Sequence, residues 1–340
     1  MDTGKLTNQE LKDIVFSRLP KLSDRTVLGA SIGADCAYVS LGDKMLVAST
    51  DPITAGGMQS GTLAVHVSCN DIVTSGVRPI GLLVVILAPS GSSREEITQI
   101  VEQASSAAQE LGVDIIGGHT EITDSVRSLV ITTTAFGVID ENTPRILGKA
   151  CPGDTLLMTK TAAIEGTWII AMNHEDRLLG QVNSEDIVRA KGFISKISVV
   201  PDGTLATACI DEGNLETDNQ RRESLVHLMH DSTEGGILGA AYEMAEFSGI
   251  GLTVDIASIP VDVATMSICK ALSIDPLRLI SSGSILIATP CPNQIIAALS
   301  ENGVQCTEIG QFTETGMHLR DSTGNYFAFD PPSRDLIYDL

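Results

Sequence analysis

Between residues 36 and 139 two kinds of periodicity take turns, and this alternation restricts the fold more than any other feature of the chain. CAYVSLG (36–42) and KMLVAST (44–50) read as strands, with Gly42-Asp43 between them as a hairpin signal. GTLAVHVSCNDIVTSG (61–76) reads as a helix and GLLVVILAP (81–89) as a buried strand. REEITQIVEQASSAAQELG places apolar or small residues at 97, 100, 101, 104, 108 and 111, a helical period that ends at Gly112. DIIGGHTEI and LVITTTAFGVI are strands again. Short strands separated by two helices predict a sheet layered with helices, an α/β (α+β) domain.

The segment NTPRILGKACPGD (142–154) collects Pro, Gly and Asn and marks a boundary. Single cores usually stop growing at about 250 to 300 residues, so 340 residues predict two domains. The expected division is 1–145, 150–320 and a C-terminal tail, 321–340. In the second domain TLLMTK, LTVDIASIP, SILIATP, VQCTEIGQF and MHLRD read as strands. EGTWIIAMN, SEDIVRAKGFISKISVV, GTLATACI, STEGGILGAAYEMAEFSG, VDVATMSICKALSI and NQIIAALSENG read as helices, with Pro201-Asp202-Gly203 as a break and 211–223 as a polar loop.

Lys and Arg total 22 against 43 Asp and Glu, a formal net charge of −21. That balance opposes the electrostatic attraction that draws proteins to polyanions, so nucleic acid and anionic membrane are excluded as expected partners. A phosphate ligand would need a divalent cation to bridge it or backbone N–H groups to cradle it. Seven scattered cysteines without a C-x-x-C pair read as reduced thiols rather than a disulfide framework. The N-terminal stretch patterns like an amphipathic helix, and the longest apolar run holds about ten residues, half of what a membrane span needs. A soluble, cytoplasmic protein is expected.

In the first helix Leu63, Val67, Asp71 and Thr74 step by four, four and three, which puts Asp71 on a stripe with two aliphatic residues. A buried, unpaired carboxylate costs several kcal/mol, so Asp71 needs a cation, donors or a ligand. Other acids also end strands or helices: Asp35, Asp51 and, after Gly117-Gly118-His119-Thr120, Glu121. Carboxylates that meet across a cleft repel unless a hard cation joins them, and Mg²⁺ with nucleotide phosphates is the usual solution. For Asp35 or Asp51 taken alone, turn capping explains the residue equally well. Gly56-Gly57 and Gly61 precede the first helix, and Asp231-Ser232-Thr233-Glu234-Gly235-Gly236 opens a later one; both expose N–H groups suited to phosphate. Neither G-x-x-x-x-G-K-[ST] nor G-x-G-x-x-G occurs, and a nucleophile triad lacks a G-x-S-x-G or a basic cysteine setting. His227-x-x-His230 beside Asp231 has the look of a transition-metal pair, but further ligands are not evident and packing is the favoured reading.

Taken in order, these segments resemble the superfamily of aminoimidazole ribonucleotide (AIR) synthase, which includes hydrogenase-maturation HypE, thiamine-monophosphate kinase and selenophosphate synthetase. GADCAYV, STDPIT, CNDIVTSGVRP, GGHTE, PGDTLLMTK, HDSTEGGILGAAYEMA and SSGSILIA carry the likeness from about residue 28 to 315, and HypE-like AIR synthase-related proteins look most similar. The resemblance implies a two-domain architecture whose N-terminal sheet pairs with that of a second subunit in a dimer barrel. It implies ATP in the cleft, with Mg²⁺ on Asp35, Asp51 and Asp71. Asp51, Gly33, Gly56, Gly57, Asn70, Gly117, Gly118, Thr233, Gly235 and Gly236 would then bind the nucleotide. Asp71, His119, Glu121 and Asp231 would serve the chemistry, phosphorylation of an oxygen on a small-molecule or protein-borne acceptor.

The chain also departs from the pattern. Ala34 replaces the first acid of the usual Asp-Asp pair, and His119 replaces an aspartate found in several members. No cysteine follows Cys306, where hydrogenase-maturation members end in Pro-Arg-x-Cys. A nucleotide-binding maturation or regulatory partner without turnover, or a kinase like that for thiamine monophosphate, are the alternatives to an ATP- and Mg²⁺-dependent phosphorylating enzyme.

Overall fold

The computed structural model describes residues 4–20, 22–54, 57–140, 146, 148–209, 225–332 and 334–340. A helical segment begins at α1 (Asn8–Glu10), capped by a Thr7–Glu10 capping box, and continues through a π turn and a 3₁₀ turn to Arg18. The first sheet then takes in β1 (Thr26–Leu28), β2 (Ala37–Ser40), β3 (Lys44–Ile53), β4 (Gly81–Pro89), β5 (Asp114–Thr123) and β6 (Val130–Asp140). Its strand order is β1-β2-β3-β6-β4-β5, and only β4 and β5 run parallel. The helices α2 (Ser60–Thr74) and α3 (Arg94–Leu111) fill the crossovers. α3 starts on a Ser93–Glu96 capping box and stops at Gly112, whose φ of 67° ends the helix at the residue the sequence indicated. In one chain this sheet is open, not a closed barrel, and every residue of the edge strand β5 except Thr123 is exposed.

The second sheet has the order β13-β12-β9-β11-β7-β10-β8. Its strands are β7 (Thr155–Thr159), β8 (Leu228–Asp231), β9 (Gly251–Asp255), β10 (Ile285–Thr289), β11 (Cys306–Thr313), β12 (Met317–Arg320) and β13 (Tyr326–Ala328). The helices are α4 (Ile164–Asn173), α5 (Glu175–Leu178), α6 (Ser184–Lys191), α7 (Val200–Thr207), α8 (Gly236–Ser248), α9 (Val263–Leu272) and α10 (Pro292–Glu301). Both domains are thus mixed sheets with helices, as expected from the alternating periodicity.

Three local readings need correction. Pro201-Asp202-Gly203 does not break a helix but forms the first turn of α7, where a missing N–H costs nothing. Residues 232–235 lie outside α8, because Gly235 has φ 83° and only Gly236 begins the helix. The tail contributes β13, paired to β12, so part of it belongs to the second sheet. The polar loop expected over 211–223, residues 142–145 and 147 of the 142–154 boundary, and Gly56 lie outside the described residues.

α2 ties the two sheets together. All its residues except Thr62 are buried. Small side chains make that possible: a Cβ on Gly61 would overlap the Ile100 carbonyl of α3. One apolar core runs from Val47, Leu82 and Ala135 of the first sheet through Val65, Cys69 and Ile72 of α2 to Met229, Ile285 and Ile287 of the second. Polar residues on α2 are therefore held between domains rather than at the surface.

Candidate functional site

Four carboxylates converge where α2 meets the end of β8. The turn before β2 supplies Asp35, β3 supplies Asp51, α2 supplies Asp71 and the last residue of β8 supplies Asp231. Asp71 is 6% exposed; its Oδ2 accepts a hydrogen bond from the Ser49 hydroxyl, and Cys36 Sγ donates to its backbone carbonyl at 3.0 Å. Burial pushes the Asp71 carboxyl well above the usual range, and the negative charges of Asp51, Asp231 and Asp35 and a hydrogen bond with Asp51 push it further. Asp231, 1% exposed, is raised by burial and by Asp35, with His230 and Lys5 partly offsetting Asp51. Its Oδ2 is buried without a hydrogen-bond partner. Acids gathered this closely must share protons or a cation. Four carboxylates with an orphaned buried oxygen fit a hard, oxygen-seeking ion such as Mg²⁺, and His230 lies with Asp35 and Asp231 in a group whose ligand atoms fall within 4.8 Å of one another.

Two basic groups that sequence reasoning did not place among these acids face this cluster. His230 Nδ1 stands 2.7 Å from Asp35 Oδ1, and its Nε2 stands 3.2 Å from Glu243 Oε2. Against burial, which lowers it, Asp35 and Glu243 hold the imidazole well above its ordinary value. Lys5 reaches in from the N-terminal segment. Burial pulls its ammonium down, but Glu243, Glu234, Asp51 and Asp35 leave it raised. His227 and His230 do not face one another, because residues three apart on an extended chain point to opposite faces. His230 joins Asp35, while His227 turns to Asp154.

The glycine-rich start of α8 does hold an anion, but one of the chain's own. The Gly235 N–H donates to Asp335 Oδ2 at 2.8 Å, and Tyr338 Oη donates to Glu234 Oε1 at 2.8 Å. The C-terminal segment therefore lies over this helix end. Gly236 must be glycine, since its φ is 66° and a Cβ would come 2.6 Å from the Leu277 carbonyl oxygen. Thr233 takes part through its backbone, accepting from Gly236 N at 3.1 Å and from Ser281 N at 3.3 Å.

Close to that segment lies a second group of buried polar side chains. Glu165 of α4 is 4% exposed, and its Oε2 is unpartnered. Burial lifts its carboxyl to about 7; Asp335 and Glu234 add to the rise and a hydrogen bond with Ser282 opposes it. The hydroxyls of Thr161 and Ser232 are likewise buried without partners. The only sequence signal for this group was a glutamate among the apolar residues of IEGTWIIA.

Other expected ligands sit elsewhere. Asn70 is fully buried, but its Nδ2 donates to the Ile197 carbonyl at 2.9 Å and its Oδ1 accepts from Val199 N at 2.8 Å. It clamps the 197–199 segment instead of facing the carboxylates. His119 and Glu121 are exposed on β5, 3.3 Å apart. The ladder aligns His119 with Val85, Thr132 and Pro52. At about 4.8 Å per strand, β5 lies about 14 Å from β3, so one chain does not bring these residues to Asp51. A Cβ on Gly118 would overlap the Val84 carbonyl oxygen, so this glycine serves the β4–β5 approach; its neighbour Gly117 meets only Leu83. Gly33, φ 75°, packs under the Glu243 carbonyl, and Gly57, φ 52°, lies against Asn173.

Comparison with known proteins matches residues 33–139 to the model for "AIR synthase related protein, N-terminal domain" and 151–320 to that for the C-terminal domain. A putative hydrogenase expression/formation protein of Methanocaldococcus jannaschii is 28% identical over 315 residues, which cover 90% of this chain and 83% of that protein. Carbamoyl dehydratase HypE of Cupriavidus necator is 25% identical over 288 residues, 82% of this chain and 76% of the relative. Among solved structures, hydrogenase maturation protein HypE in complex with ATP superposes with a TM-score of 0.69 at 20% identity, covering 99% of this chain and 98% of that one. That likeness bears on the fold.

Proposed function

The chain belongs to the AIR synthase related protein family, and from that premise we propose that it uses ATP, with Mg²⁺, to phosphorylate an oxygen on a small-molecule or protein-borne acceptor. The observation that carries this reading is the meeting of Asp35, Asp51, Asp71 and Asp231, from both domains, around a buried unpartnered oxygen. Asp35, Asp51, Asp71 and Asp231 would hold Mg²⁺, whose chemistry here would be to stabilise negative charge on a transferring phosphoryl group. Lys5 lies where it can meet phosphate charge. Glu165, whose carboxyl titrates near neutrality, can hold or accept an acceptor proton, and the hydroxyls of Ser232 and Ser282 can orient the acceptor. Because relatives are named carbamoyl dehydratases, a carboxamide oxygen is the first acceptor class to try.

The seven free thiols support a reducing, cytoplasmic setting. The exposed edge strand β5, with Ile115, Ile116 and Ile122 uncovered, supports pairing with a second copy. Sedimentation showing only monomer at micromolar concentration would remove the dimer.

The direct test is ADP release with carboxamide, carboxylate and phosphate-bearing acceptors. Asp231→Asn is expected to lower the rate by about a hundredfold or more, on the scale of losing one group that stabilises developing charge. An unchanged rate would overturn the assignment. A second reading, a nucleotide-binding partner without turnover, draws on the Asp335 carboxylate seated on the α8 N-terminus. Tight ATP binding with no ADP release under any acceptor would select it.

A further inference from the structure

The segment joining the two sheets carries a polar cluster that the nucleotide reading does not use. Cys151-Pro152-Gly153-Asp154 is a tight turn: Asp154 N–H donates to the Cys151 carbonyl at 3.0 Å, Pro152 takes the second place and Gly153, φ 98°, the third. Proline followed by a glycine with positive φ is the pattern of a type II turn. Asp154 is almost wholly buried, and its Oδ2 accepts the Cys151 N–H at 2.8 Å. The same oxygen stands 2.8 Å from Nδ1 of His227, which enters from the residue before β8. Cys151 Sγ, a His227 ring nitrogen and an Asp154 carboxylate oxygen all lie within 4.8 Å of one another.

Thiolate, imidazole and carboxylate are the donors that zinc takes, and three of them with an open fourth place is a recognised zinc arrangement. Ligand atoms around one tetrahedral zinc stand about 3.3 to 3.5 Å apart. Cys151 is exposed, so its side chain can rotate to close the remaining distance. The donor set also separates this cluster from Asp35, Asp51, Asp71 and Asp231. His230 gives the acidic cluster an imidazole too, so the thiol is the difference: soft sulfur favours a transition metal, whereas a site of carboxylate oxygens suits magnesium.

We propose that Cys151, Asp154 and His227 form a binding site for a zinc-class divalent transition metal, with one coordination position left for solvent or a ligand. Binding would release the Cys151 thiol proton to solvent and fasten the 151–154 turn to the start of β8, the strand that ends in Asp231. The bland alternative is that Asp154 and His227 merely brace the turn and the thiol is incidental.

Titration of the full-length protein with Co²⁺, in excess Mg²⁺ to occupy the carboxylate cluster, separates the two. The proposal expects one Co²⁺ per chain, a near-ultraviolet thiolate-to-cobalt charge-transfer band, and displacement of that band by Zn²⁺. Cys151→Ser, at an exposed position that tolerates the change, should abolish the band while leaving far-ultraviolet circular dichroism unaltered. Competition with a chelating dye should show at least a tenfold to hundredfold loss of Zn²⁺ affinity in Cys151→Ser and in His227→Gln, on the scale known for residues that support metal ligands. Cobalt binding without a thiolate band, or a band that survives Cys151→Ser, would overturn the site.

Discussion

Replacing Glu165 by Gln should make the protein more stable, but only at the upper end of the pH range. In the folded chain burial lifts the Glu165 carboxyl from 4.5 to about 7. Between these values the folded protein holds a proton that the unfolded chain has released, so stability falls as pH rises. Below about 4.5 both states are protonated and the group costs nothing. Above about 7 the whole penalty is present. At ~1.4 kcal/mol for each pH unit, the span corresponds to roughly 3 kcal/mol. Glutamine has nearly the same shape and does not titrate, so it escapes the penalty. At about 2 °C per kcal/mol for a chain of this size, the variant should melt up to about 6 °C higher at pH 8 and at the same temperature as wild type near pH 4.5. Thermal unfolding followed by circular dichroism from pH 4.5 to 8 measures the difference. Curves that run parallel at every pH would show that Glu165 does not titrate in this window, and the buried proton-accepting role would fall with it. If the role is right, Glu165→Gln also loses turnover, gaining stability at the expense of activity.

Two further substitutions probe how α2 and α9 are held. Asn70→Ala strands a buried carbonyl at Ile197 and a buried N–H at Val199, which should cost about 2 to 5 kcal/mol and lower the melting temperature by about 4 to 10 °C; an unchanged melting temperature with weakened nucleotide binding would return Asn70 to the ligand. Asp262 caps α9 and accepts two hydrogen bonds from Arg189 at 2.7 Å, and although burial opposes it, those bonds hold its carboxyl below the ordinary value of 3.8. Its contribution is complete above that ordinary value and is lost as pH falls through the lower folded one, so the melting difference between wild type and Asp262→Asn should stay level from pH 5 to 8 and narrow below about pH 4. A difference that widens in acid would contradict the pairing.

What could be read from the letters followed from how directly each signal maps to local physics. α3 was legible to its last residue because its apolar period and the stop at Gly112 agree. β8 was missed because all four of its residues are buried while two of them, His230 and Asp231, are polar, so neither alternation nor an apolar run announces a strand. The grouping of Asp35, Asp51 and Asp71 was expected from the family resemblance, whereas acids placed at element ends also offered Glu121, which lies apart on β5. The surroundings of that grouping were not expected: Lys5 and Asp335 come from opposite ends of the chain. Contacts over such separations leave no local pattern. Asn70 shows the reverse error, since a polar residue in a buried helix signals a partner without saying whether that partner is a ligand or the chain's own backbone.

The central claim, that four acids from two domains hold a nucleotide through magnesium, meets its most direct test in calorimetry of ATP against wild-type protein and Asp71→Asn, each with and without Mg²⁺. The account predicts binding by wild type that strengthens markedly when the ion is present, and an Asp71→Asn protein in which this gain is lost. Equal ATP affinity in all four titrations, or none in any, would contradict it.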